Sequence, residues 1–137
     1  MRMPKLTFPA RFEYLDDVRN HVAEHAREAG FSDKAVYAIQ LAADEAASNI
    51  IEHAYAGRSD ASFDMLCEYR AGKLVITFYD QGKAFDISKV SKPDVKADLS
   101  ERKIGGLGIF LMYKLMDEVH YQSGDGGNVL TLMKRKE

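Results

Sequence analysis

Apolar residues recur along the first part of the chain at the three- and four-residue spacing of amphipathic helices. A first stripe comprises Leu15, Val18, Val22, Ala26 and Ala29. A second comprises Val36, Ile39, Ala43, Ala46 and Ile50. Gly30 is a stop signal between them, and Ser32 is suited to cap the second helix. The pattern therefore predicts one helix from Leu15 and a longer, alanine-rich helix that begins near Asp33 and ends at Gly57.

Shorter runs with alternating or continuous apolar character predict strands. The predicted strands cover residues 5–8, 62–69, 73–79, 118–122 and 128–133. Pro9 ends the first, which marks it as an edge strand. Ala71-Gly72 and the glycine-rich segment 124–127 are turn signals, so the later strands form two hairpins.

Residues 80–103 show no sustained period and read as a long loop, which in a compact domain is usually functional. A third helix is predicted at about 107–116, with Leu107, Leu111 and Leu115 on one face. Hairpins outnumber parallel crossovers in this order of elements. The fold class predicted is α+β, a two-layer sandwich of a mostly antiparallel sheet covered by three helices.

Composition and charge exclude some classes of protein and disfavour others. The 137 residues include 19 Lys+Arg and 21 Asp+Glu, a net charge of −2, so charge does not favour a nucleic-acid partner. The single cysteine excludes an internal disulfide and any multi-cysteine metal site. Neither a signal peptide nor an apolar run long enough to span a membrane is present. We expect one cytoplasmic domain over residues 1–137.

The second helix carries the first candidate chemistry. Glu45, Asn49 and His53 are spaced by four, which predicts a line of polar groups beside the apolar stripe. A carboxylate, a carboxamide and an imidazole in a row can serve as base, metal ligand and phosphate contact. For an arbitrary match to this spacing, a solvated helix flank is the commoner explanation.

Two further segments can contact a ligand. Asp80-Gln81-Gly82 follows an apolar strand, where Asp80 can accept a hydrogen bond from an amino group and Gly82 permits close approach. Residues 105–108 (Gly-Gly-Leu-Gly) open the third helix and suit an anion. Alone, the first pattern is more often a plain turn, and the second more often a packing feature. The dinucleotide and Walker patterns do not fit either segment.

Other residues that can bind metal or react have simpler interpretations. His21 and His25 have metal-ligand spacing but no third ligand, so a solvated pair is the preferred reading. Cys67 lies in a predicted strand and is expected to pack as a small apolar residue.

Taken in order, these motifs resemble the GHKL ATPase superfamily, whose members include gyrase, MutL and histidine kinases and share the Bergerat ATP-binding fold. The chain looks most like its small anti-sigma-factor serine kinases, the RsbW and SpoIIAB type. Residues 43–55 match the family's N box, and residues 79–82 with 85–86 match the first glycine box. Residues 105–111, running into Met-Asp-Glu-Val at 116–119, match the second.

This resemblance implies roles for residues on the second helix and after the third strand. Glu45 would be the catalytic base that activates the attacking hydroxyl. Asn49 would coordinate Mg²⁺ that bridges the phosphates of ATP, and His53 would lie near those phosphates. Asp80 would accept a hydrogen bond from the adenine amino group, with Gly82 leaving room for the base.

It also implies roles for the long loop and the third helix. Residues 81–104 would form the ATP lid, from which Arg102 reaches the terminal phosphate. The segment Gly106, Leu107 and Gly108 would present backbone amides to the phosphates. Two positions depart from the family pattern: Ala84 replaces a frequent second glycine, and Asn128-Val129 replaces a usual Thr-Thr. Asn128 would then take the place of a threonine that helps to hold adenine.

The implied function is a Mg-ATP-dependent protein serine kinase in a partner-switching pathway. The partners implied are a STAS-domain anti-anti-sigma substrate, a sigma factor and a second copy of the chain, with no direct contact to nucleic acid or membrane. A histidine-kinase catalytic domain is a near alternative. The alternative of another class is a non-catalytic module of the same fold that sequesters a partner.

Overall fold

The structure is a computed structural model and describes residues 5–56, 58, 60–84 and 111–136. The predicted lid from residue 85 onward and the glycine-rich segment 105–108 lie outside the described residues. The residues outside the described ranges include Arg102, Gly106, Leu107 and Gly108, so the roles expected for these four residues stay predictions.

Two α-helices form where the apolar stripes predict them. Helix α1 spans Leu15–Glu28 after a short 3-10 turn, and helix α2 spans Asp33–Asn49. The Ser32 hydroxyl caps α2 by accepting a hydrogen bond from the Ala35 amide at 3.2 Å. Gly30, with φ of +88°, provides the left-handed residue that ends α1. The two helices pack against each other.

The carboxyl end of the second helix differs from the sequence prediction. The α-helix ends at Asn49 and continues as a π-helical turn over Ile50–Ala54, whereas the pattern predicts one α-helix as far as Gly57, a residue outside the described ranges. A π-turn has more residues per turn than an α-helix. The polar line predicted through residue 53 therefore loses its register after Asn49.

Five strands form one sheet in the order β1-β2-β3-β5-β4, and every neighbouring pair is antiparallel. Their bounds are β1 Leu6–Pro9, β2 Ser62–Arg70, β3 Lys73–Asp80, β4 Glu118–Gly124 and β5 Gly127–Arg135. Strand β1 lies at the edge, as predicted, and there its proline is tolerated. Ala71 and Gly72 both have positive φ, as a two-residue hairpin turn requires.

The core lies between one face of this sheet and the helices. Alternate strand residues such as Phe63, Ile76, Phe78 and Leu132 are at most 2% exposed. Residues 111–115 are helical and contribute the fully buried Met112. The predicted two-layer α+β sandwich is confirmed. No helix in the described ranges has the length and apolar character needed to span a bilayer.

Sheet register decides which polar residues meet. Strands β3 and β5 pair from Lys73–Arg135 at one end to Asp80–Asn128 at the other. The carboxyl end of β3 therefore lies beside the amino end of β5. This end of the sheet holds the candidate site.

Candidate functional site

Asp80 and Asn128 form a buried polar pair at the end of the sheet; they are 5% and 4% exposed. Asp80 Oδ1 accepts hydrogen bonds from Asn128 Nδ2 at 2.8 Å and from the Gly82 amide at 2.9 Å. Asn128 Nδ2 also donates to the Gly82 carbonyl at 2.9 Å. The two hydrogen bonds that Asp80 accepts therefore share one carboxylate oxygen, Oδ1. No residue in the described ranges donates to Oδ2, so this oxygen keeps its capacity to accept a hydrogen bond from a ligand.

The segment after Asp80 is attached to the end of the second helix. The Tyr55 hydroxyl accepts a hydrogen bond from the Gln81 amide at 2.7 Å and donates to the Ser62 carbonyl at 2.8 Å. The Lys83 amide donates to the Ala54 carbonyl at 2.7 Å. Three separate parts of the chain, the π-turn, β2 and the segment after β3, are therefore joined at one tyrosine.

Gly82 is required by this close packing. A Cβ atom at this position would lie 2.4 Å from the Ala54 carbonyl oxygen, closer than real Cβ contacts allow. The structure thus gives a backbone reason for the glycine. The further role of Gly82, to leave room for an adenine ring, stays a prediction.

Glu45 lies on α2 and is partly buried. The pKa of its carboxyl group is raised, mainly because burial disfavours the charged form and further because the carboxylates of Asp44 and Glu52 are near. Asp44 itself is paired with Arg19 of α1. A carboxylate with a raised pKa is a better proton acceptor at neutral pH than a fully solvated one.

Asn49, one helical turn beyond Glu45, is 5% exposed, and its Nδ2 is buried with no hydrogen-bond partner in the described part of the chain. Leaving such a group unpaired costs about 1–3 kcal/mol, so the orphaned amide indicates a missing partner. Its carbonyl oxygen suits a hard divalent cation, and its NH₂ group suits an anionic oxygen. The carbonyl oxygen is thus of the right type for the Mg²⁺ that the family resemblance assigns to Asn49, while the unpaired Nδ2 is of the right type for a phosphate oxygen; the role of Asn49 stays a prediction.

His53 differs from Glu45 and Asn49 in helix type and in exposure. It is in the π-turn, its side chain is 48% exposed, and its Nε2 is 3.7 Å from Glu52 Oε2. Its predicted proximity to phosphates stays a prediction.

The described residues contain no group of three His, Cys, Asp or Glu side chains able to hold a metal. His21 and His25 contact each other edge to face, with ring centroids 4.5 Å apart. His21 is partly buried, not fully solvated as expected, and burial together with His25 lowers its pKa. Cys67 is buried as predicted, and burial raises the pKa of its thiol to about 12.

Sequence reasoning missed two residues that organise the site. Tyr55 joins three segments, and Gln81 Nε2 donates to the Gly126 carbonyl at 2.9 Å, which links the site to the β4–β5 turn. The available signal for Tyr55 was its place at the end of the N-box segment, where a buried tyrosine needs a hydrogen-bond partner. No local signal marks Gln81.

Comparison with known proteins places these features in context. The sequence profile of the histidine kinase-like ATPase domain matches residues 8–134. The serine-protein kinase RsbW of Listeria monocytogenes is 33% identical over 129 residues, covering 91% of this chain and 82% of its own length. The protein of the same name from Bacillus licheniformis is 35% identical over 129 residues, covering 88% and 78%.

Solved structures share the fold. A crystal structure of the RsbU and RsbW domains of a Mycobacterium tuberculosis protein superposes with a TM-score of 0.65 at 21% identity. The match covers 97% of this chain and spans 32% of that longer chain. The catalytic domain of the histidine kinase ThkA superposes with a TM-score of 0.59 at 15% identity, covering 98% and 97% of the two chains.

Proposed function

This chain belongs to the family of histidine kinase-like ATPase domains, and on that premise we propose that it is a Mg-ATP-dependent protein serine kinase of the RsbW type. The observation that carries the proposal is the orphaned, buried amide of Asn49 one helical turn from the partly buried Glu45. A metal-and-phosphate ligand and a base side by side are what phosphoryl transfer requires. Relatives named serine-protein kinase RsbW support the choice of a serine acceptor.

Asp80 recognises the adenine base in this proposal. Its Oδ1 is occupied by Asn128 and Gly82, so Oδ2 is the oxygen left to accept a hydrogen bond from the adenine amino group. Asn128 replaces the usual threonine of the family. Its contacts support a role for it in orienting Asp80, a role that a threonine hydroxyl can also perform as a donor.

Asn49 holds Mg²⁺ in the proposed complex, with His53 near the phosphates. Mg²⁺, when bound, neutralises phosphate charge during transfer. The segment Gly106, Leu107 and Gly108 contributes backbone amides, and Arg102 reaches the terminal phosphate from the lid at about 81–104. These four residues lie outside the described ranges and enter through the family pattern alone.

Glu45 acts as the general base toward the acceptor serine. The carboxylate accepts the hydroxyl proton as the serine oxygen bonds to the terminal phosphorus of ATP, and the bond from that phosphorus to ADP breaks so that ADP leaves. Its raised pKa favours that transfer near neutral pH. The proposed acceptor is a serine of a STAS-domain anti-anti-sigma protein, and the proposed sequestered partner is a sigma factor. We also propose that the chain acts in the cytoplasm as a homodimer.

The proposal is tested with radiolabelled ATP, Mg²⁺ and the cognate STAS protein. We expect phosphoserine on the STAS protein with the native chain. Glu45→Gln is expected to reduce transfer by about a hundredfold or more while ATP binding, measured by calorimetry, is retained. Glu13→Gln, an exposed position with the same loss of charge and no part in raising the pKa of Glu45, serves as the matched control and keeps transfer.

The outcomes separate the proposal from its alternative. ATP binding with no transfer to any STAS protein would indicate a non-catalytic module that sequesters a partner. Absence of ATP binding in the presence of Mg²⁺ would overturn both assignments. Phosphohistidine in place of phosphoserine would indicate a histidine-kinase catalytic domain.

A further inference from the structure

A cavity of about 520 Å³ lies at the other end of the sandwich from Asp80. Its lining includes residues 134–136, at the end of β5 that pairs with the start of β3, whereas Asp80 and Asn128 occupy the opposite end of the same two strands. The cavity is therefore separate from the proposed nucleotide site by the length of β3. Nothing in the proposed kinase chemistry uses it.

Small and apolar side chains form the interior of the cavity. Ala35 and Ala38 of α2, together with Leu115 of the third helical segment, leave space that larger residues would fill. Gly30 also lines the cavity, and a Cβ there would lie 2.7 Å from Lys136 Nζ. The volume is within the range of pockets that bind small ligands or a few residues of a peptide.

Five cationic side chains line the same cavity. They are Lys34, Lys114, Lys134, Arg135 and Lys136, and none of the lining residues is acidic. The chain as a whole carries a net charge of −2, so this local excess of positive charge opposes the overall balance. A concave surface lined by one sign of charge concentrates the field and attracts oppositely charged groups.

Three of these five cationic residues, Lys114, Lys134 and Arg135, already have partners in the structure. Arg135 Nη2 lies 3.5 Å from Glu118 Oε2, and the Arg135 backbone amide donates to Asp117 Oδ2 at 2.7 Å. Lys134 Nζ donates to the Leu115 carbonyl at 3.0 Å. Lys34, at the start of α2, and Lys136, after β5, are both exposed and both line the cavity.

We propose that this cavity binds an acidic segment of a partner protein, in which carboxylates flank one small apolar side chain. The cations come from three separate parts of the chain, namely α2, the third helical segment and the end of β5. Separate cations around an apolar interior match separate carboxylates better than they match a compact phosphate. Because the nucleotide site lies at the other end of the sheet, both can be filled together.

A labelled acidic pentapeptide, Asp-Glu-Leu-Glu-Asp, tests the proposal by fluorescence anisotropy with the full chain. The uncharged peptide Asn-Gln-Leu-Gln-Asn is the ligand control. We expect saturable binding of the acidic peptide alone, weakened as salt rises from about 0.05 M to about 0.5 M. Lys34→Glu with Lys136→Glu is expected to weaken binding about tenfold or more, whereas Lys34→Arg with Lys136→Arg retains it.

A second pair of reversals controls for total charge. Lys5→Glu with Arg58→Glu makes the same change of net charge at exposed positions outside the cavity lining, so binding should stay within about twofold. Equal loss in both pairs would overturn the proposal, since binding would then follow total charge alone. Thermal unfolding of each variant confirms that it is folded.

Competition experiments distinguish the cavity from the nucleotide site. Saturating Mg-ATP should leave peptide binding unchanged, whether or not the chain proves to be a kinase. Displacement of the peptide by ATP would place it at the nucleotide site and overturn the proposal. Inorganic tripolyphosphate is the second competitor. If it displaces the peptide, and if Lys34→Glu with Lys136→Glu prevents tripolyphosphate from binding, the cavity binds a phosphate ligand and the proposal of an acidic segment is overturned.

Discussion

Asp80 owes its orientation to a residue 48 positions away in the sequence. Asn128 and the Gly82 amide both bind Oδ1, which fixes the plane of the carboxylate. A carboxylate held this way needs no reorganisation when a ligand amino group arrives. In the proposed site, recognition of adenine by Asp80 thus depends on Asn128, a neutral side chain that does not itself need to contact the ligand.

Substitution of Asn128 tests this dependence. Asn128→Ala removes one donor from Asp80 and one from the Gly82 carbonyl, so we expect ATP affinity to fall about tenfold. Asn128→Thr restores a donor and should keep affinity within a few-fold. Calorimetry with ATP measures the effect, and inorganic tripolyphosphate, which lacks the base, should bind both variants equally. Equal weakening of tripolyphosphate would refute a role at the adenine end.

Glu45 makes stability depend on pH in a definite direction. Its pKa in the folded chain is above the ordinary value of a glutamate side chain, so the folded state holds the proton more tightly than the unfolded state. The contribution favours folding below the unfolded pKa and is lost as pH rises through the folded pKa. Glu45→Gln removes the ionisation and should therefore unfold at a higher temperature than the native chain near pH 7.

The gain should be small, on the order of 1–3 °C, because the side chain is partly exposed. It should shrink toward zero as pH falls below about 4, where glutamate is protonated in both states. Thermal unfolding from about pH 4 to pH 8 measures the trend. Glu13→Gln is the control, since Glu13 is exposed and faces Arg11 at 3.6 Å. A gain independent of pH would contradict this explanation.

At the scale of elements, the end of the second helix and the segment after β3 form one unit. Tyr55 binds Gln81 and Ser62, and the Ala54 carbonyl binds the Lys83 amide. The π-turn Ile50–Ala54 lies between Asn49 and these contacts. It therefore sets the position of the proposed phosphate end of the site relative to its adenine end.

Tyr55→Phe tests this connection. The change removes the hydroxyl and leaves the Ser62 carbonyl and the Gln81 amide without that partner, so we expect a loss of about 1–3 kcal/mol in unfolding free energy. ATP affinity should fall while tripolyphosphate affinity is kept, because the adenine turn loses its anchor. Chemical denaturation and calorimetry provide the two readouts.

Tyr37→Phe provides a matched control, since Tyr37 lies on α2 and is 63% exposed. Unchanged stability and ATP affinity are expected for this variant. If Tyr55→Phe behaves like Tyr37→Phe, the hydroxyl does not hold the turn. If Tyr55→Phe weakens ATP and tripolyphosphate to the same degree, the tyrosine supports the fold in general and does not position the adenine turn.

At the scale of the whole molecule, the two ends of the sheet have different chemistry. One end holds buried polar groups, Asp80 and Asn128, and the other opens into a cavity with a cationic rim. Strands β3 and β5 connect the two ends through continuous antiparallel pairing. If both the proposed nucleotide site and the proposed acidic-segment site are correct, this arrangement lets one small domain bind a nucleotide and a partner protein at once.

Much of the fold could be predicted from the sequence because it rests on local regularities. The apolar periods place α1, the start of α2 and all five strands within a few residues, and Ser32 and Ala71-Gly72 mark a cap and a turn. Motif order led to Glu45, Asn49 and Asp80 through a family resemblance that the family match confirms. The π-turn was missed because a widened turn leaves the hydrophobic pattern almost unchanged.

Tertiary structure alone decided how these residues meet. The β3–β5 register places Asn128 against Asp80, and the approach of Ala54 to Gly82 requires a glycine. The cavity and its cations likewise join α2, residues 114–115 and the end of β5. The physical reason is range: periodicity and capping act between residues a few positions apart. A shared hydrogen bond or a cavity depends on strand register and layer packing, which bring distant segments together.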